Sequence, residues 1–150
     1  LEPKPHPRPL LWYGGNSAPS RELAADLADG WLTVGGGIDD VRAKLRDMDE
    51  RLKRRGRARL RCGVLMDPVF VRESDEEAQK AAGRLLGEAG LKRVLQTGLV
   101  GSPETVIERL EAYARLGVDQ LILRFSPGLE ELERFARYVL PHVQSHPVKP

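Results

Sequence analysis

Pro9-Leu10-Leu11-Trp12-Tyr13-Gly14-Gly15-Asn16-Ser17 decides the fold. An apolar run of strand type, Leu10 to Tyr13, ends in two glycines and two small polar residues. A helix-type stretch, Ser20 to Leu27, follows at once, with Leu23, Ala24 and Leu27 on one face. Glycine lets a backbone turn sharply and approach a ligand closely. The first turn of a helix presents unpaired N–H groups and a partial positive charge, which suit an anion. Strand, glycine turn and helix in this order read as one unit of a parallel α/β sheet, with a turn shaped for a phosphate. The other reading of the turn is a plain tight connection in which Ser17 or Ser20 caps the helix.

The alternation continues down the chain. Gly30 to Val34 reads as a second strand, closed by Gly35-Gly36-Gly37. Asp39 or Asp40 is expected to cap a long helix, whose Val41, Leu45, Met48 and Leu52 recur at helical spacing and which ends near Gly56. Arg59 to Val71 is a third strand region, interrupted by Asp67-Pro68. Proline donates no ladder hydrogen bond, so a bulge or a strand end is expected there. Ser74-Asp75-Glu76-Glu77 opens a helix to about Glu88, and Gly90 to Gly101 is a weakly patterned connector. Ser102 caps the next helix, Pro103 suits its first turn, Val106, Leu110, Tyr113 and Ala114 line its face, and Gly117 ends it. Gln120 to Leu123 is the fourth strand, and Leu129 to Val143 the last helix, burying Leu132, Ala136, Val139 and Val143. Strands that alternate with helices imply parallel pairing and right-handed crossovers. A closed eight-unit barrel takes about 250 residues, so four units predict half of one. The expected organisation is a Pro-rich lead-in over 1–9, a half-barrel domain over 10–143 and a tail over 144–150.

Composition excludes several classes. The chain is 41% hydrophobic and 31% charged, which is ordinary for a globular domain. A net charge of +2 gives no electrostatic case for nucleic acid or an anionic membrane. The basic run from Arg51 to Arg61 is preceded by Asp47, Asp49 and Glu50, four residues ahead of Arg51, Lys53 and Arg54, so it reads as a solvated helix end. No apolar run reaches the roughly 18 residues of a membrane span, and no signal-peptide core is present, so a cytoplasmic protein is expected. Cys62 is alone and reads as a small core residue. His6, His142 and His146 lie in Pro-flanked terminal segments, and no metal spacing, nucleophile elbow or phosphate-loop signature occurs. No metal is therefore expected, and no catalytic residue is assigned. Position 1 is Leu, so the chain is read as processed, excised or renumbered.

Five ordered segments, PRPLLWYGGNS, ADGWLT, RLRCGVLMDPVFVRESDEEA, GLVGSPETVIERLEAYARLGVDQLILRF and LEELERFARYVLPHV, together resemble strands five to eight of a luciferase-like flavin or deazaflavin monooxygenase. The nearest flavour is the alkanesulfonate monooxygenase branch. The resemblance implies an α/β fold, the C-terminal half (last four strand–helix units) of a TIM (β/α)8 barrel. It implies part of an oxidoreductase that uses reduced FMN or a reduced deazaflavin on a small organic substrate, with a flavin reductase as partner. Other readings are a non-catalytic flavin-binding or assembly module, or an inactive excised fragment. The chain departs from the alkanesulfonate pattern at Met66 and Pro68, where that branch has Arg and His, and at Ser126, where it has Tyr. The branch's long mobile insertion is reduced to Gly90 to Gly98. A neutral or apolar substrate is therefore expected rather than a sulfonate.

In a parallel barrel the chemistry sits at the C-terminal ends of the strands. That selects the loops Gly14 to Ser17, Thr33 to Gly37, Met66 to Pro68 and Arg124 to Gly128. The resemblance places cofactor at the first of them, so Gly14, Gly15, Asn16 and Ser17 are the candidate cofactor residues. Thr33, Met66 and Arg124 are candidate substrate or anion contacts. The planar fork of Arg124 suits an anion and equally a neighbouring carboxylate. Gly35 to Gly37 reads as a flexible loop or as one that folds over substrate, and Trp12 and Trp31 as core residues or stacking platforms. A half-barrel leaves two unpaired edges and an open apolar face, expected at Leu11, Leu32, Val64 and Ile122. Closure by the missing N-terminal half-barrel or by a second copy of this chain is expected. The first is favoured here, because the family's site draws on both halves.

Overall fold

The computed structural model describes residues 5–126 and 128–143. The tail over 144–150, with His146, and the start of the lead-in lie outside them. The elements run β1 (Trp12–Gly14), α1 (Ala18–Leu27), β2 (Gly30–Val34), α2 (Ile38–Arg54), β3 (Arg61–Val71), α3 (Asp75–Thr97), β4 (Leu99–Gly101), α4 (Pro103–Arg115), β5 (Gln120–Phe125) and α5 (Gly128–Tyr138). A single 3-10 turn, Leu140–His142, follows. No helix among the described residues is long and apolar enough to cross a membrane.

β3 organises the sheet, and every strand pair is parallel. Its first half pairs with β2 as far as Val34 opposite Leu65. Its other edge carries β5, from Gly63 opposite Gln120 to Val69 opposite Phe125, with a register shift between Met66 and Val69. Asp67-Pro68 thus makes a bulge inside one continuous strand. The end of β3 pairs with β4, Val69 to Val71 opposite Leu99 to Gly101. Val69 has partners in both β4 and β5, so β4 takes the edge that β2 leaves. The sheet is therefore four columns wide, with β1 and β5 outermost.

Side chains alternate between two unlike faces. Trp31 and Cys62 pack with Ala24, Ala25, Met48 and Leu52 of α1 and α2. Val64, Met66, Val69 and Val71 pack with Leu110 and Tyr113 of α4 and with Phe135 of α5. The alternate positions, Leu32, Val34, Leu65, Ile122 and Arg124, line the opposite, open face, on which the ring of Trp12 lies flat over Gly30. Val64, expected on the open face, is instead fully buried against the helices. It is in register with Thr33 and Leu121 rather than with Leu32.

Several boundaries move. Gly37 occupies the N-cap of α2, and neither Asp39 nor Asp40 caps it. Both sit within the first turn, where they pair with Arg42 and Lys44 and complement the helix dipole. The connector over Gly90 to Gly101 is the second half of α3 followed by β4, so the sheet has five strands instead of four. α3 breaks at Gly87, with φ 71° and ψ 175°, and its two halves turn different apolar faces to Phe70 and Val100. No single helical period runs through such a sequence. α5 buries Glu131 and Phe135, with Val139 just beyond it, while Leu132 and Ala136 are exposed. Ala114 of α4 is exposed as well.

Candidate functional site

The turn after β1 is braced from below. Gly15 donates its N–H to the Leu32 carbonyl (3.2 Å) and its own carbonyl accepts from Trp31 Nε1 (2.9 Å). A Cβ at Gly15 would fall 2.7 Å from the Ser20 side chain, so the turn closes only with glycine there. Asn16 Oδ1 accepts from Thr33 Oγ1 (2.5 Å) and from the Val34 N–H (3.4 Å), which ties the turn to the end of β2. Arg21 donates to the Asn16 carbonyl and, through Nε, to Asp47 of α2 (2.5 Å). Ser17 is the N-cap of α1: its Oγ accepts from the Ser20 N–H (3.2 Å) and shares a hydrogen bond with Ser20 Oγ (2.7 Å). Of the two readings of the turn, the structure shows the capped helix start, with Ser17 as the cap. Gly14, Asn16 and Ser17 are exposed, and a Cβ at Gly14 would meet nothing closer than 3.9 Å.

The other rim residues divide. Thr33 and Met66 are buried, Thr33 holding Asn16 and Met66 lying in the core between the sheet and α4 and α5. Arg124 projects on the open face, where its guanidinium lies 3.2 Å from the Asp67 carboxylate. The neighbouring-carboxylate reading of Arg124 is the one realised. Gly35 to Gly37 is pinned. Gly35 donates to the Leu65 carbonyl (2.9 Å), and the Tyr113 hydroxyl donates to the Gly36 carbonyl (2.9 Å). Burial pushes the Tyr113 phenol above its ordinary range, so it remains a donor.

Beyond the bulge, β3, α3 and β4 rise as a wall above β2. The N-terminus of α4 is filled by the chain's own anion: Asp75 accepts from the Ser102 N–H (2.6 Å) and from Thr105 Oγ1 (3.0 Å). Arg109 of α4 donates to the carbonyls of Leu95 and Gln96 at the end of α3 (3.0 and 2.6 Å). Arg72 grips the buried Glu131 through two hydrogen bonds of 2.8 and 2.6 Å. A cleft of about 100 Å³ lies between Arg72, Pro103, Arg134 and Tyr138. Sequence reasoning missed Arg21, Asp67 and Trp31 as supports of the rim. Arg21 and Trp31 meet the turn only through tertiary contact, whereas Asp67, beside Pro68 in the bulge of β3, carried a local signal.

Comparison with known proteins follows this geometry. Residues 1–94 match the luciferase-like monooxygenase family. The fold is similar to DmoA from Hyphomicrobium sulfonivorans, with TM-score 0.77 and 20% identity over 100% of this chain and 45% of that one. It is similar to an F420-dependent secondary alcohol dehydrogenase bound to an F420-acetone adduct, with TM-score 0.75 and 17% identity over 97% and 52%. It is similar also to the oxygenating constituent of 3,6-diketocamphane monooxygenase from Pseudomonas putida, in complex with FMN, with TM-score 0.62 and 19% identity over 90% and 49%. The chain spans about half the length of each of these structures.

Proposed function

Because this chain belongs to the luciferase-like monooxygenase family, we propose that it is one half of a flavin- or deazaflavin-dependent oxidoreductase and anchors the cofactor phosphate at Gly14 to Ser17. The carrying observation is the braced turn: Trp31, Thr33 and Arg21 hold it from beneath, while Gly14, Asn16 and Ser17 stay exposed above. The residues fit a phosphate. Asn16 spends Oδ1 inward, which leaves its amide Nδ2 outward as a donor. Pro19 has no N–H and the Ser20 N–H is taken by Ser17, so the N–H groups of Asn16, Ser17 and Ala18 are the backbone donors for an anion. Structures of similar fold bind FMN in one case and F420 in another, which supports either cofactor here.

Reduced FMN or a reduced deazaflavin would supply the electron transfer to oxygen or substrate, with a flavin reductase as the source of reduced FMN. This chain's part is to hold the phosphate, to offer the apolar floor of Trp12, Leu32, Val34 and Ile122, and to keep that floor dry once closed. Arg124 on the open face is compensated by Asp67, so a small neutral organic substrate fits better than an alkanesulfonate. A second reading, a non-catalytic flavin-holding module, draws on the turn itself, where none of the four residues, Gly14, Gly15, Asn16 and Ser17, has a side chain that titrates near neutral pH. Titration with FMN and with F420, each reduced and oxidised, tests the anchoring. Binding that Gly14→Val weakens supports it, and binding unchanged in Gly14→Val places the phosphate elsewhere. Turnover with a supplied flavin reductase separates enzyme from module.

A further inference from the structure

We propose that Trp31, Arg21 and Asp47 are positioning residues for the turn after β1: by drawing successive backbone carbonyls toward α1 and α2, they turn the N–H groups of Asn16, Ser17 and Ala18 together toward a ligand phosphate. The inference rests on the phosphate reading of this turn and assigns what keeps it in shape.

Peptide geometry carries it. A trans peptide is planar, so its C=O and the N–H of the next residue point in opposite directions. The cis peptides among the described residues lie elsewhere, at His6-Pro7 and Asp67-Pro68. The Gly15 carbonyl accepts from Trp31 Nε1 at 2.9 Å, and Trp31 is fully buried among residues of α1 and α2. The Asn16 N–H therefore points away from those helices. The Asn16 carbonyl accepts from Nη1 of Arg21, on α1, so the Ser17 N–H points away as well. The Ser17 carbonyl accepts the Arg21 N–H at 3.0 Å, the first bond of α1, which leaves the Ala18 N–H outward. None of these three N–H groups has a partner among the described residues.

A plain helix start has no use for two of these bonds. Gly15 and Asn16 precede the cap, and α1 needs only Ser17 Oγ on the Ser20 N–H and the Ser17 carbonyl on the Arg21 N–H. Arg21 is held in turn. Its Nε donates to Asp47 (2.5 Å), and Asp47 takes a second bond from Arg51 Nε (2.9 Å). Arg51 is buried and also reaches Glu22, so α2 fixes the Asp47 carboxylate, and Asp47 fixes the plane of the Arg21 guanidinium. Each of these two guanidinium charges has a carboxylate beside it. The turn therefore attracts an anion through oriented N–H dipoles rather than through a free cation.

Flavin titration of the full-length protein tests this, because riboflavin is FMN without its phosphate. The ratio of their dissociation constants isolates what the phosphate contributes. F420 against its phosphate-free deazaflavin core serves the same purpose where F420 is the tighter ligand. Asp47→Asn, Arg21→Met and Trp31→Phe should each shrink that ratio about tenfold, with riboflavin affinity unchanged and the fold verified by circular dichroism. Asp47→Asn is the mildest of the three, keeping the side chain's size at a half-buried position. Arg21→Lys should shrink the ratio equally, since an ammonium keeps the charge but cannot grip Asn16 and Asp47 through one planar fork. A merely structural role would weaken both ligands alike. A large parent ratio that the variants leave unchanged, a parallel loss of both ligands, or full recovery with Arg21→Lys would overturn the positioning role and leave the phosphate reading standing. A parent ratio near one, or no binding of either cofactor, would overturn the phosphate reading and this inference together.

Discussion

Asp29 shows what single side chains contribute beneath the rim. Its carboxylate accepts from both Arg8 nitrogens and from the Leu11 N–H, all at 2.7 Å. The Arg8 hydrogen bonds first, then the Leu11 N–H, hold it down at about 2, against 3.8 for an ordinary Asp. A depressed folded pKa adds stability that is complete above the ordinary value and lost as pH falls through about 2. NMR titration of the Asp29 carboxyl should show that midpoint, and Arg8→Ala should return it toward the ordinary range. Glu131 behaves differently because it is 1% exposed. Glu131→Ala strands Arg72 and removes an acceptor from the Val71 N–H. The expected loss is at the lower end of about 3–5 kcal/mol, since Arg72 keeps some access to water, measured by urea unfolding. At the turn, Ser17→Ala removes both a helix cap and a candidate phosphate contact. It should lower stability by about 1 kcal/mol and weaken cofactor binding separately. Calorimetry with and without cofactor separates the two effects. Burial pushes the Cys62 thiol up to about 12, so thiol reagents should label it only on unfolding.

At the scale of elements, α3 and β3 carry the departures from simple patterning. α3 spans Asp75–Thr97 across a break at Gly87 whose φ of 71° and ψ of 175° suit glycine alone. Gly87→Ala should cost about 1–3 kcal/mol, read as a lower urea midpoint at unchanged slope. Straightening the helix would part Ala82 from Val94, which pack together around Phe70. β3 holds two strand neighbours on one edge in succession, first β2 and then β4. Its bulge is what aims Val69 and Val71 into the core shared with α4 and α5. α5 carries two apolar surfaces, Phe135 and Val139 inward and Leu129, Leu132 and Ala136 outward. A periodicity count alone cannot say which of two such stripes meets the sheet.

For the whole molecule, closure is the controlling property. The closed state governs the proposed chemistry, because the open face that would floor the cofactor site is the face a second half covers. Alkanesulfonates should remain poor substrates for the completed barrel, because Arg124, the basic group on the open face, is already paired with Asp67. Desulfonation at the rate of an authentic alkanesulfonate monooxygenase would defeat that expectation.

Local chemistry was enough to read the parallel α/β half-barrel, the helix starts at Ser74 and Ser102, the stop at Gly56 and the glycine turn after β1, with the cap of α1 narrowed to Ser17 or Ser20. Each rests on a preference expressed within a few residues: a side-chain oxygen reaching an N–H three positions on, a left-handed glycine, an apolar run. Tertiary structure alone decided which stripe of α5 faces inward, that Val64 points at helices while Ile122 does not, that α3 folds back into β4, and that Asp67 claims Arg124. Those outcomes depend on register and on partners from distant segments. A one-residue shift in register moves every strand side chain to the other face, and no local preference in this chain sets that shift.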